Sequence, residues 1–152
     1  MKVFISHKST DSGSAGQVQQ AFKNLGVDAY LDVLDNFSGE GEALTAHIKG
    51  QLSKCSDIIG VMSEATKTSW WVPFEIGMSA QVDLPTATYL IRSVELPDFL
   101  TYWPRLRDTS DIAKYVAVRK RVWRTDSMFE NRAFSQINST KEFYRQLKAE
   151  LK

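Results

Sequence analysis

The chain has 152 residues, of which 43% are hydrophobic and 24% are charged; these values are typical of one globular domain and exclude a disordered or fibrous protein. The 19 lysines and arginines nearly balance the 18 aspartates and glutamates, so the net charge indicates neither a nucleic acid nor an acidic membrane as a partner. One cysteine and two histidines exclude a disulfide framework and a Cys-rich zinc site, and we expect no metal and no cofactor.

Strand and helix patterns alternate over the first hundred residues. In chain order they predict a strand at 3–5, a helix carrying Ala15, Val18, Phe22 and Leu25, a strand at 27–32, a helix marked by Leu44, Ile48 and Leu52, a strand at 57–63, a helix opened by Pro73 and a strand at 86–91. Strands separated by helices are joined by right-handed crossovers. The pattern therefore predicts an α/β fold with a mostly parallel central sheet and helices on both faces.

The pattern is weaker after residue 94. It predicts a short helical turn between Pro97 and Pro104, a helix over 111–124 and a closing helix over 140–151. The basic cluster in 114–124 is interpreted as a solvated helix face, because few aromatic residues are interleaved with its charges. We expect one domain over 1–152, with its core at about 1–110 and a helical extension at about 111–152. Neither a signal peptide nor an apolar run of ~18–20 residues is evident, so a cytoplasmic location is expected.

The loops that follow the strands are the expected binding region, because ligands on parallel α/β sheets bind beyond the carboxyl ends of the strands. These loops span about 6–11, 32–42 and 63–75. They contain neither a G-x-G-x-x-G nor a G-x-x-x-x-G-K-[ST] pattern, and the chain has no G-x-S-x-G turn. A standard dinucleotide-binding dehydrogenase, a P-loop enzyme and a serine hydrolase are therefore disfavoured.

The most unusual of these loops carries two consecutive tryptophans, Trp70 and Trp71, and leads to Glu75. If Pro73 is the first helical residue, Glu75 is the third, where free amides and the helix dipole stabilise a carboxylate. A structural role also accounts for the segment, since an acid in the first turn of a helix above a packed tryptophan is common. Its place at the ligand-binding edge favours a catalytic role.

Several short motifs occur together in a specific order. Phe-Ile-Ser-His at 4–7 ends the first strand, Tyr-Leu-Asp at 30–32 ends the second, and a glycine-containing loop precedes the second helix. The third strand ends at Ser63, and Ser69-x-Trp71-x-x-x-Glu75 follows it. In this order the set resembles a bacterial TIR (Toll/interleukin-1 receptor) domain over about residues 1–110.

The resemblance implies a flavodoxin-like TIR fold and, for members that carry the acid, cleavage of the nicotinamide–ribose bond of the substrate NAD+. It implies that Glu75 is the catalytic residue. The residues implied to bind the substrate are Phe4, Ser6, His7, Asp32, Ser69, Trp71 and Phe74. The 33–41 loop is implied to mediate self-association, with Asp35, Asn36, Phe37, Gly39 and Gly41 as its candidate residues.

The chemistry of this reaction needs few groups. The cationic ring of NAD+ takes the bonding electron pair and leaves as neutral nicotinamide, so it needs no general acid. Positive charge develops on the ribose, and one carboxylate beside it can suffice where ordinary glycosidases use two. An indole face also suits a cationic ring. By contrast Cys55 is interpreted as a small buried residue, because neither histidine is placed to pair with the thiol. His47, within the second predicted helix, is interpreted as a structural or surface residue.

Three functions follow as hypotheses. The first is an NAD+-consuming enzyme resembling the stand-alone TIR proteins of Thoeris antiphage defence, whose linear, cyclic or conjugated ADP-ribose product would reach a separate effector. The second is a non-catalytic adaptor that acts by TIR–TIR association. The third, a phosphorylation receiver, is disfavoured because the third strand ends in Ser63 and not in an aspartate.

Overall fold

Parallel strands and helices alternate along the chain in the computed structural model, which describes residues 1–31, 41–69, 71–126 and 132–152. The strands are β1 (Lys2–Ser6), β2 (Asp28–Leu31), β3 (Asp57–Met62), β4 (Thr86–Leu90) and β5 (Arg105–Leu106). The helices are α1 (Ser12–Asn24), α2 (Glu42–Leu52), α3 (Trp71–Gln81), α4 (Thr109–Asp126) and α5 (Arg132–Glu150). All strand pairs are parallel, in the order β2-β1-β3-β4-β5.

Alternate residues of β1 show that both faces of the sheet are covered, because successive side chains of a strand point to opposite faces. Val3 and Ile5 belong to the larger core, which also contains residues of α1, α4 and α5. Phe4 packs instead with residues of α2. The predicted α/β architecture, with a central parallel sheet between two helical layers, is confirmed.

The helices that follow residue 110 share the larger core with the strands. The rings of Tyr115 in α4 and Phe143 in α5 meet edge to face, with centroids 5.0 Å apart, and both side chains are fully buried. α4 is also tied to the start of β3 by the buried ion pair between Arg119 and Asp57, whose Nε and Oδ1 atoms are 2.8 Å apart. Within the described ranges, no helix has both the length and the apolar character that crossing a membrane requires.

Two predicted helix starts were wrong. α5 begins at Arg132, eight residues before the predicted start at 140, and α3 begins at Trp71, two residues before Pro73. Proline is accepted at the third position of α3 because the first four N–H groups of a helix have no intrahelical acceptor. Pro73 therefore marks the first turn and not the first residue, and Glu75 is the fifth helical residue instead of the third.

One strand was missed altogether. β5 consists only of Arg105 and Leu106 and pairs with Thr88 and Tyr89 of β4. Two residues are too few to produce an alternating pattern, so β5 is identified only by its pairing with β4. The predicted helical turn between Pro97 and Pro104 is confirmed as a 3-10 helix at Asp98–Tyr102.

Candidate functional site

With this strand order, a ligand crevice is expected beside the carboxyl ends of β1 and β3. The chain leaves β1 toward α1 on one face of the sheet and leaves β3 toward α3 on the other face, which makes this the topological switch point. Connections in a doubly wound sheet diverge at such a point and leave an opening for a ligand. The candidate site is therefore formed by the β1–α1 connection, the β3–α3 connection and the first turns of α3.

Glu75 reaches this point because α3 crosses close to the sheet. Ser6 of β1 and Gly60 of β3 are register partners in neighbouring strands. A Cβ atom on Gly60 would lie 2.9 Å from Ile76 Cδ1 and 2.8 Å from Met62 Cε, so the absence of a side chain lets α3 approach. The residue next to Ile76 is Glu75, whose Oε2 accepts a hydrogen bond from Ser6 Oγ.

The Glu75 carboxyl and the Ser6 hydroxyl are both fully buried. A buried carboxylate must be hydrogen-bonded or paired, because its desolvation is otherwise very costly. The Ser6 hydroxyl supplies one such donor. The expectation that the first turn of α3 stabilises Glu75 is corrected, since the dipole effect falls off within that turn and Glu75 lies beyond it.

A second polar network joins the two connections. Ser63 Oγ donates to Asp11 Oδ2 over 2.7 Å and accepts from the Ala65 N–H over 3.1 Å. Lys8 Nζ donates to the Ala65 carbonyl over 3.0 Å and to Thr68 Oγ1 over 3.1 Å. These hydrogen bonds link the connection after β1 to the connection after β3, next to Ser6.

His7 follows Ser6 and is also buried, with 8% of its surface exposed. Its Nε2 lies 3.1 Å from Ser12 Oγ, while that hydroxyl donates its proton to the Ser9 carbonyl over 2.6 Å. Because the single hydroxyl proton is used there, Nε2 is the donor to Ser12. The ring thus positions the start of α1 at the edge of the crevice.

The other predicted binding residues occupy different positions. Phe4 is fully buried and contacts Tyr30 at a ring distance of 5.5 Å, so its geometry favours packing beneath α2. Ser69 is half-buried at the end of the 3-10 helix of the β3–α3 connection, and Phe74 is 41% exposed. Trp71 is the first residue of α3.

Most of the predicted self-association loop lies outside the described residues, as do Asp32, Asp35, Asn36, Phe37 and Gly39. Gly41 is described and precedes α2 with a φ of +56°, a left-handed conformation that glycine adopts readily. The binding and association roles of all these residues stay predictions.

Lys8, Asp11 and Thr66 lie in the predicted binding loops, but no individual role was predicted for them. The sequence pattern Ser63-x-x-Thr66 indicates a capping box, and in the structure the Ser63 N–H donates to Thr66 Oγ1 over 2.6 Å. No local sequence pattern indicates the contacts of Lys8 and Asp11, since their partners are more than fifty residues away in the chain. In the part of the chain that the structure describes, no cluster of three or more His, Cys, Asp or Glu residues is suited to a metal ion.

Comparison with solved structures finds the same fold in two proteins of low sequence identity. A 2-deoxyribosyltransferase from Bacillus psychrosaccharolyticus aligns with a TM-score of 0.58 and 14% identity, over 74% of this chain and 90% of that protein. The TIR domain of the Toll-related receptor TRR-2 from Hydra magnipapillata aligns with a TM-score of 0.57 and 16% identity, over 73% of this chain and 88% of that domain. No curated protein matches the sequence significantly.

The comparison with family models is decisive for the classification. A model described as TIR domain matches residues 3–128, which include the whole sheet except Lys2, the helices α1 to α4 and the whole candidate site. The match extends beyond the region of about 1–110 that carries the motif resemblance and takes in the rest of α4, which packs in the larger core. The chain belongs to the TIR domain family.

Proposed function

We propose that this TIR domain is an NAD+ nucleosidase that cleaves the bond between nicotinamide and ribose, with Glu75 as its catalytic residue. The observation that carries the proposal is the carboxyl of Glu75, held by Ser6 at the switch point of the sheet. A carboxylate excluded from water interacts more strongly with a developing charge than an exposed one.

Cleavage of this bond is favoured by a negatively charged group beside the ribose. The C–N bond between ribose and nicotinamide breaks, its electron pair goes to the nicotinamide nitrogen, and positive charge develops on the ribose. The Glu75 carboxylate would stabilise this cation. Attack by the oxygen of water, with loss of a proton, gives ADP-ribose, whereas attack by a ribose hydroxyl or an adenine nitrogen gives a cyclic product.

Other features of the crevice suit the rest of the substrate. The helices α1 and α3 both begin at this edge of the sheet, where their amide groups favour an anion such as the diphosphate of NAD+. His7 and Ser69 lie on the two connections that border the crevice. The similarity to a 2-deoxyribosyltransferase adds an analogy of fold alone, namely that a protein of this architecture acts on deoxyribosyl groups.

The test of catalysis is the substitution Glu75→Gln. The amide keeps the size of the side chain and can still accept the hydrogen bond from Ser6, so we expect a melting temperature within a few degrees of the parent. Nicotinamide release from NAD+, followed by chromatography, should fall by at least ~100-fold because the negative charge is lost. The matched control is Glu95→Gln at an exposed position, which should keep full activity.

The alternative is a non-catalytic scaffold, and one observation favours it. Glu75 is fully buried in the described conformation, and a buried acid bonded to a serine can serve folding alone. If Glu75→Gln melts far below the parent, or if the parent releases no nicotinamide at any protein concentration, the scaffold replaces the enzyme.

The product and the setting are the finer part of the proposal. We propose an ADP-ribose-derived signal made in the cytoplasm of a bacterium during antiphage defence. Mass spectrometry of the reaction mixture tests this directly. A cyclic or conjugated species supports a signalling role, whereas linear ADP-ribose and nicotinamide alone would replace it by simple NAD+ depletion.

A further inference from the structure

A second concave region lies at the opposite edge of the sheet from Glu75. It is a groove of about 510 Å³ between the last turns of α2 and α3 and the segments that lead into β3 and β4. Small-molecule sites usually have volumes of about 300–1,000 Å³. The groove is therefore large enough for a ligand of its own.

The floor and walls of the groove are mainly apolar. Leu52 and Cys55 are buried against the core beneath α2, and Met78 packs partly on the same cluster. Burial raises the pKa of the Cys55 thiol to about 11, so the thiol stays neutral at physiological pH and adds no charge. Val82 belongs to the wall and exposes 59% of its surface, so its apolar side chain is accessible to a ligand.

The turns at the two ends of the groove are well hydrogen-bonded. After α3, the Val82 and Leu84 N–H groups donate to the Ser79 carbonyl over 3.3 and 3.1 Å, and Asp83 adopts a φ of +53° between them. After α2, Ser53 Oγ donates to the Gly50 carbonyl over 3.0 Å. These closed turns hold the walls in place, so a ligand would meet a preformed surface and lose little free energy in ordering it.

One cationic group lines this apolar surface. The lining includes Lys49, whose ammonium group makes no ion pair within 4.0 Å among the described residues. Asp and Glu are absent from the groove lining formed by the described residues. An apolar cleft with a single unmatched positive charge is complementary to a molecule with an apolar body and one negative group.

We propose that this groove, formed by Leu52, Met78, Val82 and Leu84 with Lys49 at its polar side, binds a small carboxylic acid with an apolar chain. The chain lies against the aliphatic walls and the carboxylate pairs with the Lys49 ammonium. The site is separate from the Glu75 crevice, because α3 runs the length of the sheet between them. Binding is therefore expected to persist in Glu75→Gln and in the presence of NAD+.

Decanoate is the probe for the test, and its binding to the full chain is measured by isothermal titration calorimetry. We expect saturable binding, and much weaker binding of decyltrimethylammonium, which has an alkyl chain of similar length and the opposite charge. Lys49→Gln should weaken decanoate binding by about fivefold, as expected for one partly exposed ion pair. Lys54→Gln, at a neighbouring exposed lysine that does not line the groove, should leave it unchanged.

Val82→Asp tests the apolar wall. It places a negative charge where the chain and carboxylate would lie, and it should reduce decanoate binding by at least ~tenfold. Phe99→Asp is the matched control, because Phe99 is also 59% exposed and lies elsewhere on the surface. Both variants should melt like the parent, because each position faces solvent.

Three results would each overturn the proposal. They are the absence of saturable decanoate binding, equal binding by the Val82→Asp and Phe99→Asp variants, and equal affinity for decanoate and decyltrimethylammonium. None of these readouts depends on NAD+ cleavage, so a chain that proves inactive toward NAD+ can still bind decanoate.

Discussion

The hydrogen bond that Ser6 makes bears on whether this residue binds the substrate or positions the Glu75 carboxylate. The sequence resemblance implies that Ser6 contacts the substrate, whereas the structure has its hydroxyl donating to Glu75 Oε2 in a fully buried position. A residue that contacts substrate affects KM, but a residue that only positions the carboxylate affects kcat. We therefore propose that Ser6 positions the Glu75 carboxylate.

The substitution Ser6→Ala distinguishes these roles. Hydrogen bonds to charged groups are worth about 1.5–3 kcal/mol, so we expect kcat for nicotinamide release to fall at least ~tenfold while KM stays within about twofold. Steady-state kinetics over a range of NAD+ concentrations provides both values. A raised KM with an unchanged kcat would show instead that the hydroxyl binds the substrate.

At the level of elements, the approach of α3 to the sheet depends on Gly60. A methyl group there would come within 3 Å of Met62 Cε and Ile76 Cδ1. The flexible methionine can turn aside more easily than the branched isoleucine. Gly60→Ala should therefore lower the free energy of unfolding by about 1–3 kcal/mol through overpacking, and it should lower activity by displacing Glu75.

Urea denaturation and nicotinamide release measure both effects. Gly77→Ala is the control, because Gly77 lies on α3 with open space around it and a normal helical φ. That substitution should raise stability by about 0.5–1 kcal/mol, since alanine favours the helix. Equal behaviour of the two variants would mean that the close approach at Gly60 has no consequence.

The junction between β3 and α4 depends on the buried pair Asp57 and Arg119. Asp57 also accepts hydrogen bonds from Tyr115 Oη over 2.9 Å and from Ser56 Oγ over 2.6 Å, and the guanidinium lies 3.2 Å from the ring centroid of Trp123. Burial raises the pKa of Asp57 although Arg119 opposes the shift. The pairing therefore does not fully offset the desolvation of the carboxylate.

Because Asp57 and Arg119 are buried as a pair, we expect substitutions at these two positions to be strongly coupled. Asp57→Asn and Arg119→Met should each lower the free energy of unfolding by about 3–5 kcal/mol, because each leaves an unmatched group in the core. The double variant should cost clearly less than the two single costs together. Urea unfolding of all four proteins gives the coupling energy, and simple additivity would contradict the assigned pairing.

At the scale of the whole molecule, the burial of Glu75 predicts that activity depends on association. Its side chain has no exposed surface in the described conformation, so NAD+ can reach it only after a rearrangement, and contact with a second TIR domain is the proposed cause. Nicotinamide release per molecule should rise with protein concentration, in step with oligomer formation followed by light scattering. A constant rate per molecule from a protein that stays monomeric would exclude this dependence.

The sequence by itself determined the fold class and predicted the region of the candidate site. Helical spacing such as that of Ala15, Val18 and Phe22 depends only on neighbouring residues, and each of these side chains is buried in α1 as expected. The strand predicted at 57–63 is likewise confirmed as β3, and all of its residues are buried. Because parallel strands end at one edge, their order along the chain also located Ser6, Ser63 and Glu75 near one another.

Only the tertiary structure decided which of these residues are in contact. The hydrogen bonds from Ser6 to Glu75 and from Lys8 to Ala65 join segments that are remote in sequence. The two-residue strand β5 is too short to have a periodicity and is defined by its pairing with β4. The start of α3 before Pro73 was also undecided, because a proline is tolerated at several positions of a first turn. Local patterns report what each segment buries, whereas contacts between segments depend on the strand register and on how closely each helix approaches the sheet.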